Sequence, residues 1–425
     1  DVSVSNKYGY TFEGNSNIPV YIFMSVIVAI FIGLSVSAEE IIKDRKILKR
    51  EAFLNLSWSS YLLSKVAVMF VIYAIQVLAF VLVGNSIIEI KGMYFEYWLV
   101  LFSAWATANI MGLVISDSFK TVVTIYILIP FLVIPQIILS GVIVKYEKLN
   151  PTISSPDRIP FYGEVITARW AYEALAVYQF SENDYERDYY IYDKTMSRAE
   201  FKKNYWIPYL ENKIDLIKKG MNHSEKSESY SDYFDLLRNE IDKENQNNPK
   251  LKFRAVFQLY PEKFSADHLE KLEKYMQMLK TYYIRLYNRA NERKDNEISD
   301  KQLTAEGKQA FLKLKRDFSN EKLTEFVENK NEVVRIVEYD GQLYQKTDPI
   351  YLDPEHPFIR SHFYAPRKQF FGKYYHTFWV NIGVIWFMAF LFYLILYFRL
   401  LKRLLNYFDD LSTSGNRGGF SFVRK

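Results

Sequence analysis

Two kinds of segment alternate along the chain: apolar runs without charge, and stretches in which charges recur every few residues. The apolar runs lie near 19–38, 60–83, 97–116, 120–144 and 377–401. Each approaches the roughly 20 residues a helix needs to cross a hydrocarbon core about 30 Å thick. The pattern therefore predicts five membrane-spanning helices. The second carries Lys65 near its start, where the long side chain can snorkel to the interface. In the third, Ser103, Ala104, Ala106, Ala108 and Gly112 allow close approach of a neighbour. Pro130 and Pro135 predict a kink or local unwinding in the fourth. Asn381 and Gly383 suggest a packed side in the last.

The segment between the first two runs cannot enter lipid. Each Lys, Arg or Asp at mid-membrane costs about 2.5–3.5 kcal/mol, and Lys43, Asp44, Arg45, Lys46, Lys49 and Arg50 are nearly contiguous. Ile41, Ile42, Leu48 and Phe53 fall on roughly one side of this stretch, which predicts an amphipathic helix at the start of a connecting segment 39–58. Periodicity leaves two readings open, a helix that docks on a partner protein and one that lies against anionic lipid.

Clustered cations set the orientation. The loop 39–59 and the tail after Phe398, with Arg399, Lys402 and Arg403, are both predicted to be cytoplasmic. Five spans then place the N-terminus and the long segment 145–376 outside. Within that segment, 198–219, 264–294 and 301–330 show helical spacing. The run 333–345 alternates about Asp340 and Gly341 as a hairpin does. The predicted class is an α-helical polytopic membrane protein, a helix bundle with a cytoplasmic connecting helix and a mostly α extracytoplasmic domain. Its expected parts are an external loop 1–18, four spans within 19–144, re-entrant or juxtamembrane helices at 145–180, the external domain 181–376, a last span 377–401 and a cytoplasmic tail 402–425.

Composition narrows the chemistry. The 425 residues are 49% hydrophobic and 17% aromatic, and the mean hydropathy of -0.13 averages two unlike populations. A net charge of +5 arises from bases that are mixed with acids or flank the spans, so no nucleic-acid partner is expected. Without cysteine, disulfides and thiolate chemistry are excluded. No G-x-x-x-x-G-K-[ST] loop is present to cradle nucleotide phosphates, and no coherent nucleophile, base and orienting group emerges. His356, His362 and His376, with Asp353 and Glu355, fit no metal-ligand spacing. Asn222-His223-Ser224 is a glycosylation acceptor only in form. The residues at 360–375 read most simply as an interfacial anchor for the last span.

Three places resemble the membrane half of subfamily-G ABC half-transporters. Ser37-Ala38-Glu39, Asp44-Arg45-Lys46, Leu48 and Glu51, then Ser60-Tyr61 and Ser64-Lys65, look like that family's second-span exit, connecting helix and third-span entry. Pro135 through Ser140-Gly141, followed by Trp170, Tyr172-Glu173-Ala174-Leu175 and Phe180, is similar to the end of its fifth span and the segment beyond. Trp379, Asn381 and Tyr393 resemble its last span. The family's first span and ATP-binding domain have no counterpart here, which reads as though they lie upstream, and the insert at 181–373 far exceeds the family's usual loop.

The resemblance implies the permease portion of an ATP-driven exporter. In that frame Glu39, Asp44 and Arg45 make polar contacts within the bundle, while Leu48, Arg50 and Glu51 meet a nucleotide-binding domain that supplies the ATP and Mg site. Val142 and Ile143 would form an exit valve, and Phe31, Ile32, Ile129 and Phe131 would line a cavity between two identical halves. A bacterial inner membrane is the expected location, with cargo or an envelope partner at the external domain. The rival is a non-transporting membrane scaffold whose external domain recruits a partner.

Overall fold

The computed structural model describes residues 10–51, 57–150, 154–156, 158–223 and 230–415. In chain order, α1 (Ile18–Ser37) starts with Pro19 in its first turn, where a missing N–H costs nothing. After a short break comes α2 (Glu40–Glu51), then α3 (Trp58–Ile88), which stops where Glu89 turns left-handed. Next are α4 (Tyr94–Ser118) and α5 (Val122–Ile138), the latter capped by the Thr121 hydroxyl, which accepts from the Thr124 amide. The short α6 (Phe161–Glu164) precedes α7 (Thr167–Ser181) and α8 (Glu186–Phe201). A π-turn at Lys202–Trp206 leads into α9 (Ile207–His223). Then follow α10 (Ser231–Asn247), α11 (Ala266–Lys301), α12 (Ala305–Phe318) and α13 (Glu321–Val327). Two hairpins, β1 (Ile336–Tyr339) with β2 (Gln342–Gln345) and β3 (Arg367–Phe370) with β4 (Lys373–His376), precede α14 (Thr377–Tyr397) and α15 (Leu400–Gly415).

The chain divides into two compact units. One comprises residues 16–153, 160–179 and 375–425 and holds the apolar helices. Its centre is α4: 83% of its most apolar stretch is buried, against 22% for α3 and 28% for α14, so the last two present most of their apolar surface outward. Two glycines let α1 and α4 touch. A Cβ on Gly33 would fall 2.7 Å from the Trp105 carbonyl, and one on Gly112 would fall 2.0 Å from the Ser37 hydroxyl. Without a hydrophobic drive between helices in lipid, such backbone approach is what holds a membrane bundle together.

Among the described residues, four helices are long and apolar enough to cross a membrane, one fewer than the hydropathy pattern predicts. The difference lies in the run 120–144. Its helix α5 continues through Pro130 and Pro135 but ends at Ile138 after 17 residues. Beyond it, Gly141 takes a φ of +81°, and the Tyr146 hydroxyl donates to the Leu139 carbonyl at 2.6 Å. That bond folds the chain back where apolar composition alone predicts more helix.

The other unit contains residues 1–15, 154–159 and 180–374. Its spine is α11, whose Leu269, Leu272, Met276, Leu279 and Tyr283 form one buried stripe at helical spacing. That stripe packs with Trp206, Leu210, Ile214, Leu236 and Leu237 from the neighbouring helices. The π-turn sets the Lys202 ammonium 3.5 Å over the Trp206 ring and 2.9 Å from the Glu244 carboxylate. Glu240 accepts from the Trp206 indole at 2.5 Å and from the Leu343 amide at 2.8 Å, tying β2 to α10. The β1–β2 hairpin turns at Asp340 and Gly341, both at positive φ, as a two-residue turn requires.

Several features of this unit carry no clear sequence signal. The early residues pack rather than trail: the Asn320 side-chain amide donates to the Phe12 and Asn15 carbonyls at 2.8 and 2.9 Å. The predicted helix 301–330 is two helices, because the Asn320 side chain caps α13 by accepting from the Leu323 amide. The residues read as an interfacial anchor at 360–375 contain β3 and most of β4, turned by Phe371 and Gly372 at positive φ.

Burial lifts the Glu186 carboxyl to about 7, with Asp193 and Glu328 adding like charge. Burial also raises Asp193, Glu328 and Asp348. A folded-state value above the unfolded one means that folding retains a proton that the unfolded chain has released. Between about pH 4.5 and 7, the local stability around Glu186 is therefore expected to fall as pH rises. Hydrogen exchange of the α8 amides in the full chain reads this directly. Glu186→Gln should flatten the pH dependence there, and an unchanged slope would refute the assignment.

Candidate functional site

The conspicuous polar construction in the bundle is an elbow formed by α2 and the C-terminal end of α4. Helix ends leave backbone donors and acceptors unsatisfied, and these two ends satisfy each other. The Ser116 hydroxyl accepts from the Ile41 and Ile42 amides, both at 3.0 Å, so a residue of α4 caps α2. In return, Arg45 Nη2 donates to the carbonyls of Ser116, Asp117 and Phe119 at 3.1, 3.2 and 2.7 Å. A cation at a helix C-terminus also opposes the negative end of the macrodipole.

Further contacts pin the same half of α2. Asp44 Oδ2 accepts from the Tyr61 hydroxyl at 2.9 Å and pairs with Lys65 Nζ at 2.9 Å. Lys65 also reaches Glu40 at 2.7 Å. Glu39 pairs with Lys43 and accepts from the Tyr126 hydroxyl on α5. The other half is different: Lys46, Ile47, Lys49 and Arg50 are exposed, and Leu48 is half-buried. The Glu51 side chain lies outside the described residues. Thus Glu39, Asp44 and Arg45 come together at the elbow, while Leu48 and Arg50 stand on the free half. Asp117 extends the elbow further, pairing with Lys402 at 2.9 Å and Arg399 at 3.7 Å.

The candidate pathway residues do not share one surface. Phe31, Ile32, Phe131 and Ile143 are exposed, Val142 is half-buried, and Ile129 is only 3% exposed. Ile129 is buried in its own bundle, where α5 packs on α1. Val142 follows the left-handed Gly141, and a Cβ there would fall 2.3 Å from the Tyr146 ring. This post-helical turn is therefore shaped by the glycine and by that tyrosine together.

A second polar cluster lies deep in the same unit and escaped the sequence reading. Arg169 and Glu173, four residues apart on α7, are both fully buried. Arg169 lies 3.3 Å from Glu164 and 3.8 Å from Glu173, with its guanidinium 3.7 Å from the Trp170 ring centre. Asn381 of α14 donates to Glu173 at 2.9 Å and to the Trp170 carbonyl at 3.0 Å. Gln136 of α5 accepts from the Ala168 amide at 2.9 Å. A charge pair at i,i+4 within an otherwise apolar helix was the available signal, since buried ions need partners.

Histidines do not assemble into a centre. His362 bonds the Pro349 carbonyl, His356 bonds Phe358, and His376 caps α14, while Asp353 is held by Lys194 and Arg367. Among the described residues no group of three or more His, Cys, Asp or Glu could hold a metal ion.

An apolar bundle whose first polar elbow joins two helix ends is the arrangement on which family comparison bears. Residues 4–180 match the family model of the ABC-2 type transporter. The ABC-2 match takes in the elbow, α5, Gly141 and the Arg169 cluster as far as α7, and covers less than half of the chain. It supports an integral membrane permease, the part of an ABC transporter that works in the bilayer with a nucleotide-binding partner. No curated protein and no solved structure matches the chain.

Proposed function

We propose that this ABC-2 permease is an exporter driven by alternating access, with α2 as the lever on which its ATPase acts. The observation that carries the reading is the division of α2 into a tethered half and a free half. Motion imposed on Leu48 and Arg50 reaches Arg45 within the same rigid helix and passes to α4 through three carbonyls. Because α4 is the buried centre of the bundle, a shift at its end changes how α1, α3 and α14 pack.

In this reading ATP and Mg bind to a nucleotide-binding domain, and two copies of the chain pair as a homodimer around a shared pathway. The likeness to subfamily-G half-transporters suggests Val142 and Ile143 as its exit valve, with Phe31, Ile32 and Phe131 exposed toward the cavity. The basic elbow and the α15 side face the cytoplasm, while the α11-based unit stands outside a bacterial inner membrane and meets cargo or an envelope partner. The positive-inside bias at 39–59 and after Phe398 supports that orientation.

The natural absence of cysteine makes the test direct. A single cysteine at Leu48 or Arg50 should cross-link to the ATPase subunit in native membranes, and one at Ile32 should not. Failure of both α2 positions to trap an ATPase would remove the lever from the mechanism.

A further inference from the structure

The last span is followed, after a sharp corner, by a further helix. Only two residues separate Tyr397, where α14 ends, from Leu400, where α15 begins. Arg399 between them has a φ of +51°, a left-handed bend that redirects the chain. Its guanidinium lies 3.7 Å from the Trp58 ring centre, so the corner is packed on the start of α3.

The two faces of α15 are used differently. Lys402 and Asp409, seven residues apart, share one side of the helix. Lys402 pairs with Asp117 and Asp409 pairs with Lys120, both at 2.9 Å, so that side is held against the C-terminal end of α4. Leu400, Leu404, Tyr407 and Phe408 share the opposite side, and they are 48%, 50%, 61% and 57% exposed. Four large apolar residues in one stripe, bare on a helix whose polar side is already occupied, call for an apolar environment.

Lipid is the occupant that the surroundings favour. The stripe follows directly in sequence on the outward-facing apolar residues Phe387 and Phe390 of α14 and on Phe398 just past its end, all at least half exposed. It begins two residues beyond Phe398, directly after the corner at Arg399, and therefore sits where the span leaves the hydrocarbon. Arg403 projects into solvent beside it, suited to an anionic headgroup. We propose that α15 lies along the membrane interface with Leu400, Leu404, Tyr407 and Phe408 inserted at the headgroup–acyl boundary, and that its Lys402–Asp117 pair braces the elbow from the lipid side. Interfacial helices of this kind insert about 5–10 Å and bind by buried apolar area plus attraction to anionic lipid.

Spin labels on single cysteines in the full chain, reconstituted in nanodiscs containing anionic phospholipid, test this. Labels at Leu404, Tyr407 and Phe408 should collide several-fold more with oxygen, relative to a water-soluble nickel chelate, than a label at Asn406. Agreement among three apolar positions guards against one badly folded variant. Equal ratios at all four positions would overturn the proposal. So would apolar positions that are water-accessible in nanodiscs and become protected only when the ATPase is added, which would make this face a protein-docking surface. Loss of the brace is read separately: Lys402→Gln should increase the mobility of the Leu404 label, and an unchanged spectrum would refute the bracing role.

Discussion

Replacing Arg169 with leucine is expected to destabilise the membrane unit by about 3–5 kcal/mol, the cost of stranding one partner of a buried ion pair. The substitution leaves the fully buried Glu173 carboxylate with the Asn381 amide at 2.9 Å but without its cation. Glu164, which lies 3.3 Å from the same guanidinium, loses that attraction as well. The companion experiment separates charge from volume. If the cost is an uncompensated charge, adding Glu173→Leu to Arg169→Leu should recover much of the loss, because apolar replacement of a whole buried pair is often neutral or better. Melting of the full chain in lipid nanodiscs measures both. A single variant within about 0.5 kcal/mol of the parent, as for an ordinary surface change, would show that the cluster is not stabilised in this way. A double variant no better than the single would locate the cost in packing against Trp170 instead.

The contrast between this cluster and the spans shows what a sequence makes legible. Hydropathy is a property of consecutive residues, so α1, α3, α4 and α14 can be read without knowing what they touch. The end of α5 cannot, because it depends on Tyr146 returning to the Leu139 carbonyl and on the conformation of Gly141. Asp340-Gly341 announces its hairpin by local turn chemistry, whereas the β3–β4 turn uses Phe371-Gly372, and its aromatic flanks resemble an interfacial belt. The candidate lever divides along the same line. Its charge and amphipathic pattern are local, but Ser116 and Arg45 exchange caps across about seventy residues of chain. Glu173 meets Asn381 across 208. Ile129 shows the same dependence on distant packing: it is buried within the single chain, where α5 packs on α1.

The elbow yields the second large effect. If α2 is the lever proposed above, Arg45→Gln should greatly weaken the response to ATP while leaving the ATPase docked, since the variant cuts the link between lever and bundle rather than the lever's free half. Hydrogen bonds involving a charged group contribute about 1.5–3 kcal/mol each, and one guanidinium supplies three carbonyl contacts at the end of α4. If these contacts differ between the two states by even about 1.4 kcal/mol, losing them shifts the ratio of the states about tenfold. Arg45→Lys should retain part of the response, because an ammonium can meet a carbonyl as a point charge but lacks the planar fork. A cysteine at Ile143 provides a readout that needs no knowledge of the cargo: in the proposed homodimer, its cross-linking between copies should change on adding ATP in the parent and stay constant in Arg45→Gln. The Leu48 cross-link to the ATPase should persist in both, which distinguishes a broken transmission from a lost partner. Asp44→Asn, which weakens the hold on Tyr61 and Lys65 but leaves the α4 carbonyls capped, should fall between parent and Arg45→Gln. An Ile143 response to ATP that survives in Arg45→Gln would mean that the stroke reaches the bundle by another route, and Arg45 would then be a helix cap with no part in transport.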